Sequence, residues 1–172
     1  MKPNLQNTKI ETMILDVMKD YQYEIKYTKY PRHATKIAKS YQKCSYRIYA
    51  VGGDGMVHEI IQGLVGSNNE LVVIPAGTGN DFIRTISYTN NPYKLLKMSL
   101  HLKSESIDLI KVNDIYCINI FCCAFDSDIA NNVHNYQQAK YLPHALQYAN
   151  VLVKRLSKYR LYPTTLYYEG KK

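Results

Sequence analysis

Hydrophobic and polar positions follow two different periods along the first part of the chain. The apolar positions from Leu5 to Met18 recur at helical spacing, which predicts an amphipathic helix that ends near Asp20. Residues 23–28 then alternate between apolar and polar side chains, and this period of two predicts a strand. Pro31 begins a second predicted helix, because proline is favoured in the first helical turn.

The next sixty residues repeat one unit in which an apolar strand, a glycine-rich loop and a helix follow each other. Residues 46–51 predict a strand, GlyGlyAspGly at 52–55 predicts a loop, and residues 56–64 predict a helix. The second copy has a strand at 71–74, then ProAlaGlyThrGlyAsn at 75–80 and a short helix. Such alternation is typical of a parallel sheet covered by helices, with ligand loops at the carboxyl ends of the strands. We therefore predict an α/β fold.

Beyond Ser104 the pattern changes to one typical of antiparallel strands. Apolar runs at 107–112 and 115–121 flank an AsnAsp turn signal, which predicts a hairpin. We predict an α/β domain over 1–104, followed by the start of a β-rich second domain over 105–172. The other elements predicted in this second part are a helix over 142–156 and a strand over 161–168.

Composition indicates an ordinary globular protein. Hydrophobic residues make up 46% and charged residues 21% of the chain, so it can bury a core and is not a disordered segment. No apolar run approaches the roughly 20 residues needed to cross a bilayer, and the amino terminus lacks the apolar segment of a signal peptide. A cytoplasmic location and reduced thiols on its four cysteines are the expectations.

The charge balance favours anionic partners. The chain has 22 Lys and Arg against 14 Asp and Glu, a formal net charge of +8. A phosphorylated ligand and an anionic membrane surface both suit this charge. No arginine-rich arm or nucleic-acid recognition motif is present, so we expect no nucleic-acid partner.

The first glycine loop has the residue types of a phosphate-binding turn. Gly52, Gly53 and Gly55 lack Cβ atoms, which lets backbone N–H groups approach a phosphate at the amino end of the following helix. Asp54 would repel a phosphate directly, so it would act through Mg²⁺, through a ribose or substrate hydroxyl, or by fixing the loop with hydrogen bonds. A turn without any ligand is the alternative interpretation of this loop alone.

The second glycine loop makes the ligand interpretation stronger. Gly77 and Gly79 again permit close backbone approach, Thr78 can donate its hydroxyl to a phosphate, and Asn80 or Asp81 can cap the next helix. Neither loop is a Walker A motif and neither matches GxGxxG, so P-loop and ordinary Rossmann sites are disfavoured.

Taken together and in order, the two loops carry a resemblance to a known family. GGDGMVHEIIQGL at 52–64 with IPAGTGNDFIRTI at 74–86 resembles the diacylglycerol kinase catalytic-domain family, which includes bacterial diacylglycerol kinases and the sphingosine and ceramide kinases. The resemblance continues through Thr28, HisAla at 33–34, residues 107–112 and residues 118–126. It implies an α/β nucleotide-binding domain related to NAD kinase, followed by a β-sandwich domain, with the active site between them.

The resemblance also implies roles for individual residues. It implies that the nucleotide phosphates are lined by Gly52, Gly53, Asp54 and Gly55 of the first loop and by Gly77, Thr78 and Gly79 of the second. It also places Thr28 facing the nucleotide and Glu59 supporting the first loop. The alternatives without a ligand are that Thr28 is an exposed strand residue and that Glu59 is an ordinary acidic residue in the first turn of a helix. Asp54 is the candidate for a direct catalytic role, whereas His58 is better interpreted as an exposed helical histidine than as a general base.

The implied activity is that of an ATP-dependent lipid kinase using Mg²⁺. The γ-phosphoryl group would pass to a lipid hydroxyl, such as that of diacylglycerol or a sphingoid base, at an anionic membrane surface with which the protein associates peripherally. An NAD kinase-like enzyme and a non-catalytic nucleotide-binding fragment are the alternatives, and AsnAsp at 80–81 favours the lipid kinase over NAD kinase. Homo-oligomer formation and the metal ligands stay open.

Two segments expected from the family have no counterpart in the sequence. These are an opening strand with AsnPro before Leu5 and the acidic segments of the second half of the sandwich. The expectation is therefore that the chain is a fragment with little lipid kinase activity by itself.

Overall fold

The computed structural model describes residues 1, 3–6 and 8–122, together with 127, 165 and 167. In this part of the chain a 3-10 turn at Pro3–Leu5 precedes the helices α1 (Lys9–Val17), α2 (His33–Ser40), α3 (Asp54–Leu64), α4 (Asp81–Ile86) and α5 (Pro92–Ser99). The strands are β1 (Arg47–Gly52), β2 (Glu70–Pro75), β3 (Ile110–Val112) and β4 (Ile115–Cys117). They all lie in one compact unit, Met1–Ile120, and Phe121–Lys172 forms a second unit. The helix predicted over 142–156 and the strand predicted over 161–168 lie outside the described residues.

A parallel pair of strands forms the centre of the first unit. β1 pairs with β2 in a register that runs from Arg47 opposite Glu70 to Gly52 opposite Pro75. The last three residues of each strand are buried, because apolar side chains there join the core. Both strands end in a glycine loop that leads into a helix, α3 after β1 and α4 after β2. The predicted mixed α/β fold with a parallel sheet is confirmed.

Helices α2 and α3 pack against each other at very short range. A Cβ atom at Gly63 of α3 would lie 2.6 Å from the Thr35 carbonyl oxygen and 2.8 Å from the Ala38 Cβ. Ala34 and Ala38 of α2 and Ile60 and Leu64 of α3 are all buried. Small residues at the crossing therefore let two apolar helix faces meet without a gap.

The strand predicted over 23–28 is wrong. Residues 22–29 belong to no helix or strand of the described structure, although the apolar and polar positions alternate. A strand needs a hydrogen-bonded neighbour, and here the Thr28 N–H donates to the Met1 carbonyl oxygen at 3.0 Å while the Met1 amino group donates to the Lys26 carbonyl oxygen at 2.8 Å. One residue of pairing is too short to form a ladder.

Helix α5 was not predicted, although the sequence carries a helix-start signal. The Asn91 side chain accepts a hydrogen bond from the Lys94 N–H at 3.1 Å, and Pro92 occupies the first helical position. Asparagine at the N-cap followed by proline is the expected combination at a helix start.

Arg47 connects the start of the parallel sheet to the end of α5. Its guanidinium donates to Glu70 Oε2 at 2.6 Å, to the Ser99 carbonyl oxygen, and to the Leu102 carbonyl oxygen at 3.2 Å. A hydrogen bond from the Ser104 hydroxyl and then those from Arg47 lower the pKa of the Glu70 carboxyl. Both side chains of this ion pair are about one-third exposed, so its contribution to stability is small, of the order of 0–1 kcal/mol.

The predicted hairpin beyond Ser104 is confirmed, with shorter strands than expected. β3 and β4 pair antiparallel, and Asn113 takes a positive φ of 53° in the turn between them. Gln62 of α3 fastens the hairpin, because its side-chain amide donates to the Tyr116 carbonyl oxygen at 2.7 Å and accepts from the Tyr116 N–H at 3.0 Å. Among the described cysteines, Cys44 and Cys117 are half-buried, Cys122 is exposed, and all three are free.

Within the described residues, none of the helices has the length and apolar character that a membrane-crossing segment requires.

Candidate functional site

The two glycine loops touch each other at their backbones. A Cβ atom at Gly77 would lie 2.5 Å from the Gly53 Cα, and one at Gly53 would lie 3.0 Å from the Gly77 Cα. Real Cβ atoms do not approach as closely as 2.5 Å, so the first loop requires glycine at position 77, and a Cβ atom at position 53 would be in tighter contact than nearly all real ones. This contact is a structural role that the sequence analysis did not assign to either residue.

Asn80 holds the second loop in its conformation. Its Oδ1 accepts from the Gly77 N–H at 3.0 Å, and its Nδ2 donates to the Gly77 carbonyl oxygen at 2.7 Å. The residue sits at a left-handed φ of 54°, which asparagine tolerates better than most side chains. Asn80 precedes α4 at the N-cap position, but its side chain makes no capping bond to that helix.

Asp54, at the end of the first glycine loop, caps the start of α4 beyond the second loop. Its Oδ1 accepts from the Phe82 N–H at 3.1 Å, which satisfies one of the unpaired donors at the start of the helix. The sequence analysis expected the cap from Asn80 or Asp81, and that expectation is wrong because those side chains turn elsewhere. Asp54 therefore fixes the loops by hydrogen bonding, one of the three roles considered for it.

Gly55 differs from the other loop glycines because it faces open space. A Cβ atom there would meet no heavy atom within 4 Å. It borders a pocket of about 350 Å³ whose lining is Thr28, Lys29, Tyr30, Pro31, Gly55, Met56 and Glu59. The structure thus brings three predicted site residues, Thr28, Gly55 and Glu59, to one pocket.

Thr28 and Glu59 also have bonds within the protein. Thr28 is buried, and its hydroxyl donates to the Met1 carbonyl oxygen at 3.4 Å, so the alternative of an exposed strand residue is wrong. The Glu59 carboxylate accepts from the Ala34 N–H at 3.2 Å at the start of α2, and the Glu59 carbonyl oxygen accepts from the Thr35 hydroxyl at 2.7 Å. Glu59 is thus more than an ordinary helix acid, since it connects α3 to the start of α2.

The remaining predicted residues lie outside this pocket. Gly52 is buried at the end of β1, and its carbonyl oxygen accepts from the Ala76 N–H at 2.8 Å. Thr78 and Gly79 are exposed on the second loop, and His58 is exposed on α3 as expected. The pocket and the loop contact are therefore two adjoining parts of one surface, joined through residues 53–55.

Comparison with known proteins assigns a family to the part of the chain that contains both loops. The family model described as the diacylglycerol kinase catalytic domain matches residues 5–112. This range includes both loops, the pocket and the hairpin strand β3. The chain belongs to the diacylglycerol kinase catalytic domain family.

Similar proteins carry lipid kinase names. A "Putative lipid kinase" of Staphylococcus carnosus (strain TM300) is 38% identical over 78 residues, which are 44% of this chain and 26% of that protein. A "Probable lipid kinase YegS-like" of Chromohalobacter salexigens is 33% identical over 90 residues, 50% of this chain and 29% of that protein. A Staphylococcus aureus (strain MRSA252) relative is 30% identical over 135 residues, 77% of this chain and 42% of that protein. The chain thus spans well under half the length of these curated relatives, and no solved structure matches it.

Few carboxylates are available to hold a metal in the described part of this diacylglycerol kinase catalytic domain. In that part, no three His, Cys, Asp or Glu side chains form a group that could hold a metal ion. Two carboxylates do flank Gly79, because a Cβ atom there would lie 3.1 Å from Asp54 Oδ2 and 3.6 Å from Asp81 Oδ2. One or two carboxylates suit Mg²⁺ when substrate phosphates and water supply the other ligands.

The sequence analysis missed the wall of the pocket opposite Gly55. Lys29, Tyr30 and Pro31 form that wall, and they follow Thr28 directly in the chain. Tyr30 stacks on His33 with ring centroids 4.5 Å apart, which steadies the wall against the start of α2. The sequence feature that could have revealed this wall is the lysine and the aromatic residue that directly follow Thr28.

Proposed function

We propose that this domain binds MgATP at the pocket beside Gly55 and that the protein transfers the γ-phosphoryl group to a lipid hydroxyl, as of diacylglycerol or a sphingoid base. The observation that carries the proposal is the open face of Gly55 next to two interlocked glycine loops in a lipid kinase family domain. Phosphoryl transfer depends chiefly on positioning and on charge neutralisation, and these loops are built for positioning.

The amino end of α3 would hold the phosphates. Gly53 is the N-cap and makes no side-chain cap bond, so the N–H groups of Asp54 and Gly55 are available to a ligand, whereas the Met56 N–H already donates to the Gly53 carbonyl oxygen at 2.9 Å. The helix dipole adds partial positive charge at this end, and Gly55 leaves room for a phosphate to approach the backbone. Lys29, on the opposite wall, adds a full positive charge to the pocket.

Asp54 and Asp81 fit a magnesium ion bound together with the phosphates. Asp54 uses Oδ1 to cap α4, which leaves Oδ2 on the side of Gly79 and Asp81. When bound, Mg²⁺ would neutralise the charge that develops on the phosphate oxygens. The protein's own part would be to hold the two carboxylates at the starts of α3 and α4, next to the contact between the loops.

The net charge of +8 supports docking on an anionic membrane surface, where the lipid acceptor resides. Lys and Arg side chains near such a surface contribute about 1 kcal/mol each. We propose peripheral contact of this kind, with the lipid-binding parts contributed in part by polypeptide that the longer relatives have beyond the matched segment.

A transfer assay tests the lipid kinase proposal. Labelled ATP, Mg²⁺ and mixed micelles containing diacylglycerol or a sphingoid base would be incubated with this chain and, in parallel, with the whole Staphylococcus aureus relative. We expect labelled phospholipid from the relative and little from the chain alone, because the described residues include no evident base for the lipid hydroxyl. Absence of product from both proteins with either lipid would contradict the proposal.

Substitution of Gly55 tests the nucleotide pocket. In Gly55→Ala the new methyl group lies within 4 Å of no atom outside its own helix and chain neighbours, so the fold should be unchanged, but the methyl group would enter the space through which a phosphate approaches. Loss of hydrogen bonds to a charged group costs about 1.5–3 kcal/mol, so we expect MgATP to bind about 10–150-fold more weakly in calorimetry. His58→Ala, on the exposed face one turn later, is the control and should bind MgATP as the parent does. Equal affinities of Gly55→Ala and the parent would show that the ligand lies elsewhere.

A further inference from the structure

Helix α5 and the loop before it form a basic and aromatic surface that has no role in the site above. Residues 82–104 contain three lysines and one arginine but no aspartate or glutamate. In the chain as a whole, 22 Lys and Arg stand against 14 Asp and Glu. This stretch is therefore a local concentration of positive charge.

The outer side of α5 carries both the charge and the aromatic residues. Leu95 and Leu96 are buried on the inner side of the helix. Helical geometry places Tyr93, Lys94 and Lys97 on the opposite side, and all three are exposed. The Lys97 Nζ atom lies 4.6 Å from the centroid of the Tyr93 ring, so cation and ring are held together one turn apart.

The loop between α4 and α5 holds one more aromatic side chain in solvent. Tyr88 is 89% exposed. Side-chain hydroxyls shape the backbone on both sides of it, because the Thr89 N–H donates to the Ser87 hydroxyl at 3.2 Å and the Asn91 N–H donates to the Thr89 hydroxyl at 3.2 Å. The loop therefore has a defined conformation that presents Tyr88 outward.

Tyr88 belongs to the same surface as the α5 lysines. Its hydroxyl donates to Met98 Sδ at 3.5 Å. Met98 follows Lys94 by one helical turn, so the two side chains are neighbours on the outer side of α5. We call this surface, formed by Tyr88, Tyr93, Lys94, Lys97 and Met98, the α5 face.

The lysines of the α5 face keep their full charge for a partner. Neither Lys94 nor Lys97 forms an ion pair with any carboxylate of the described residues. Lysines of this kind are attracted to anionic lipid headgroups, and tyrosine is enriched at the membrane–water interface because its ring is apolar and its hydroxyl is polar. The combination of the two residue types on one face fits an anionic bilayer surface.

We propose that the α5 face is the surface through which this domain docks on a bilayer containing anionic lipids. Tyr88 and Tyr93 lie at headgroup level in the docked state, and Lys94 and Lys97 contact lipid phosphates. The proposal rests on the lipid kinase function proposed above and adds the place at which the membrane is met.

Helix α4 joins the α5 face to the candidate site. It begins at Asp81, beside the second glycine loop, and ends at Ile86, two residues before Tyr88. Six helical residues span about 9 Å, so one short helix separates the loop from the docking face. Ile86 is itself 53% exposed and adds an apolar side chain at that end of α4.

The charge and shape of the α5 face favour a bilayer over other partners. A second copy of the chain would bring two surfaces of the same positive charge together, which is unfavourable. A single-stranded nucleic acid is anionic, but such strands are bound in grooves where successive bases stack on aromatic rings. The α5 face is instead the outer side of one helix.

Vesicle sedimentation with the full chain tests the proposal. We expect binding to phosphatidylcholine vesicles that contain phosphatidylglycerol and little binding to phosphatidylcholine alone. Lys94→Gln/Lys97→Gln should weaken the binding by about 30-fold, since each lysine near an anionic surface contributes about fivefold. The matched control is Lys39→Gln/Lys43→Gln, which removes the same charge from exposed positions on α2 and the turn after it. This control should weaken binding by less than about threefold, because charges away from the contact are screened.

A fluorescent substitution reports whether the α5 face itself meets the lipid. The chain contains no tryptophan, so Tyr88→Trp introduces a single tryptophan fluorophore at an exposed position. Its emission should shift to shorter wavelength with phosphatidylglycerol vesicles, and the shift should be lost when Lys94→Gln/Lys97→Gln is added at the same lipid concentration. An unshifted emission from vesicle-bound protein would contradict the assignment of the face.

The remaining outcomes separate this proposal from the proposed function. Equal vesicle binding by the parent and both double variants would overturn the α5 face and leave peripheral membrane contact standing. A parent that binds MgATP but no vesicle would overturn the face and the membrane contact and leave the nucleotide site standing. A single-stranded RNA that competes with the vesicles, or a dimer that Tyr88→Ser dissociates, would assign the face to another partner and overturn the proposal.

Discussion

Replacing Gly77 with alanine is expected to destabilise the domain by about 1–3 kcal/mol, the usual cost of overpacking a filled site, and to abolish measurable MgATP binding. The added Cβ atom would lie 2.5 Å from the Gly53 Cα and 2.9 Å from Asn80 Oδ1. Both neighbours are held in place, Gly53 by its position between β1 and α3 and Asn80 by its two bonds to Gly77. The loops can relieve the clash only by moving apart, which also moves the amino end of α3.

The measurement is urea unfolding together with calorimetry of MgATP binding. Gly55→Ala is the matched control, because it makes the same chemical change in the partner loop and meets no atom within 4 Å. Gly77→Ala should be less stable than Gly55→Ala, whereas both variants should bind MgATP more weakly than the parent. If Gly77→Ala were as stable as Gly55→Ala, the contact between the loops would not have the structural importance assigned to it.

Substitution of Asp54 is expected to weaken ATP binding when Mg²⁺ is present but not when Mg²⁺ is absent. With Mg²⁺, Asp54→Asn should weaken ATP binding by about 10–150-fold, the equivalent of about 1.5–3 kcal/mol for one lost contact to a charged group. Without Mg²⁺, the same variant should bind ATP at least as tightly as the parent, because a carboxylate that repels the phosphates has been removed. Calorimetry with Mg²⁺ and with a chelator gives both values.

Asp54→Ala separates the metal role of the side chain from its structural role. Asparagine keeps an oxygen that can accept from the Phe82 N–H, whereas alanine leaves the start of α4 without a cap. Loss of such a cap typically costs about 0.5–2 kcal/mol, so Asp54→Ala should be less stable than Asp54→Asn by that amount. An Asp54→Asn variant that keeps the parent's dependence on Mg²⁺ would show that Asp54 does not act through the metal.

Local sequence patterns predicted much of the fold of the first unit. The repeat of strand, glycine loop and helix is correct, with α3 beginning at Asp54, two residues earlier than predicted. The hairpin is also correct, because AsnAsp marks its turn directly. These features depend on residues close together in the chain, so periodicity and turn chemistry are sufficient to identify them.

The interactions that build the candidate site are long-range, and local patterns did not reveal them. Asp54 bonds to Phe82, 28 residues away, and Glu59 bonds to Ala34, 25 residues away. The sequence showed acidic residues near helix starts but not which helix each would cap. The strand prediction for residues 23–28 was wrong for the same reason. Alternation of apolar and polar residues describes the two faces of a segment but does not show which residues are its hydrogen-bonded neighbours.

The contact between Gly53 and Gly77 also restricts how this family domain can diversify. A larger residue at position 53 or 77 would require a compensating change in the other loop, so single substitutions at these two positions are not an available route to a new ligand. The opposite wall of the pocket has no such restriction, since Lys29 and Tyr30 are exposed there. Changes in nucleotide preference during evolution are therefore expected to arise in residues 29–31, while Gly53 and Gly77 stay constant.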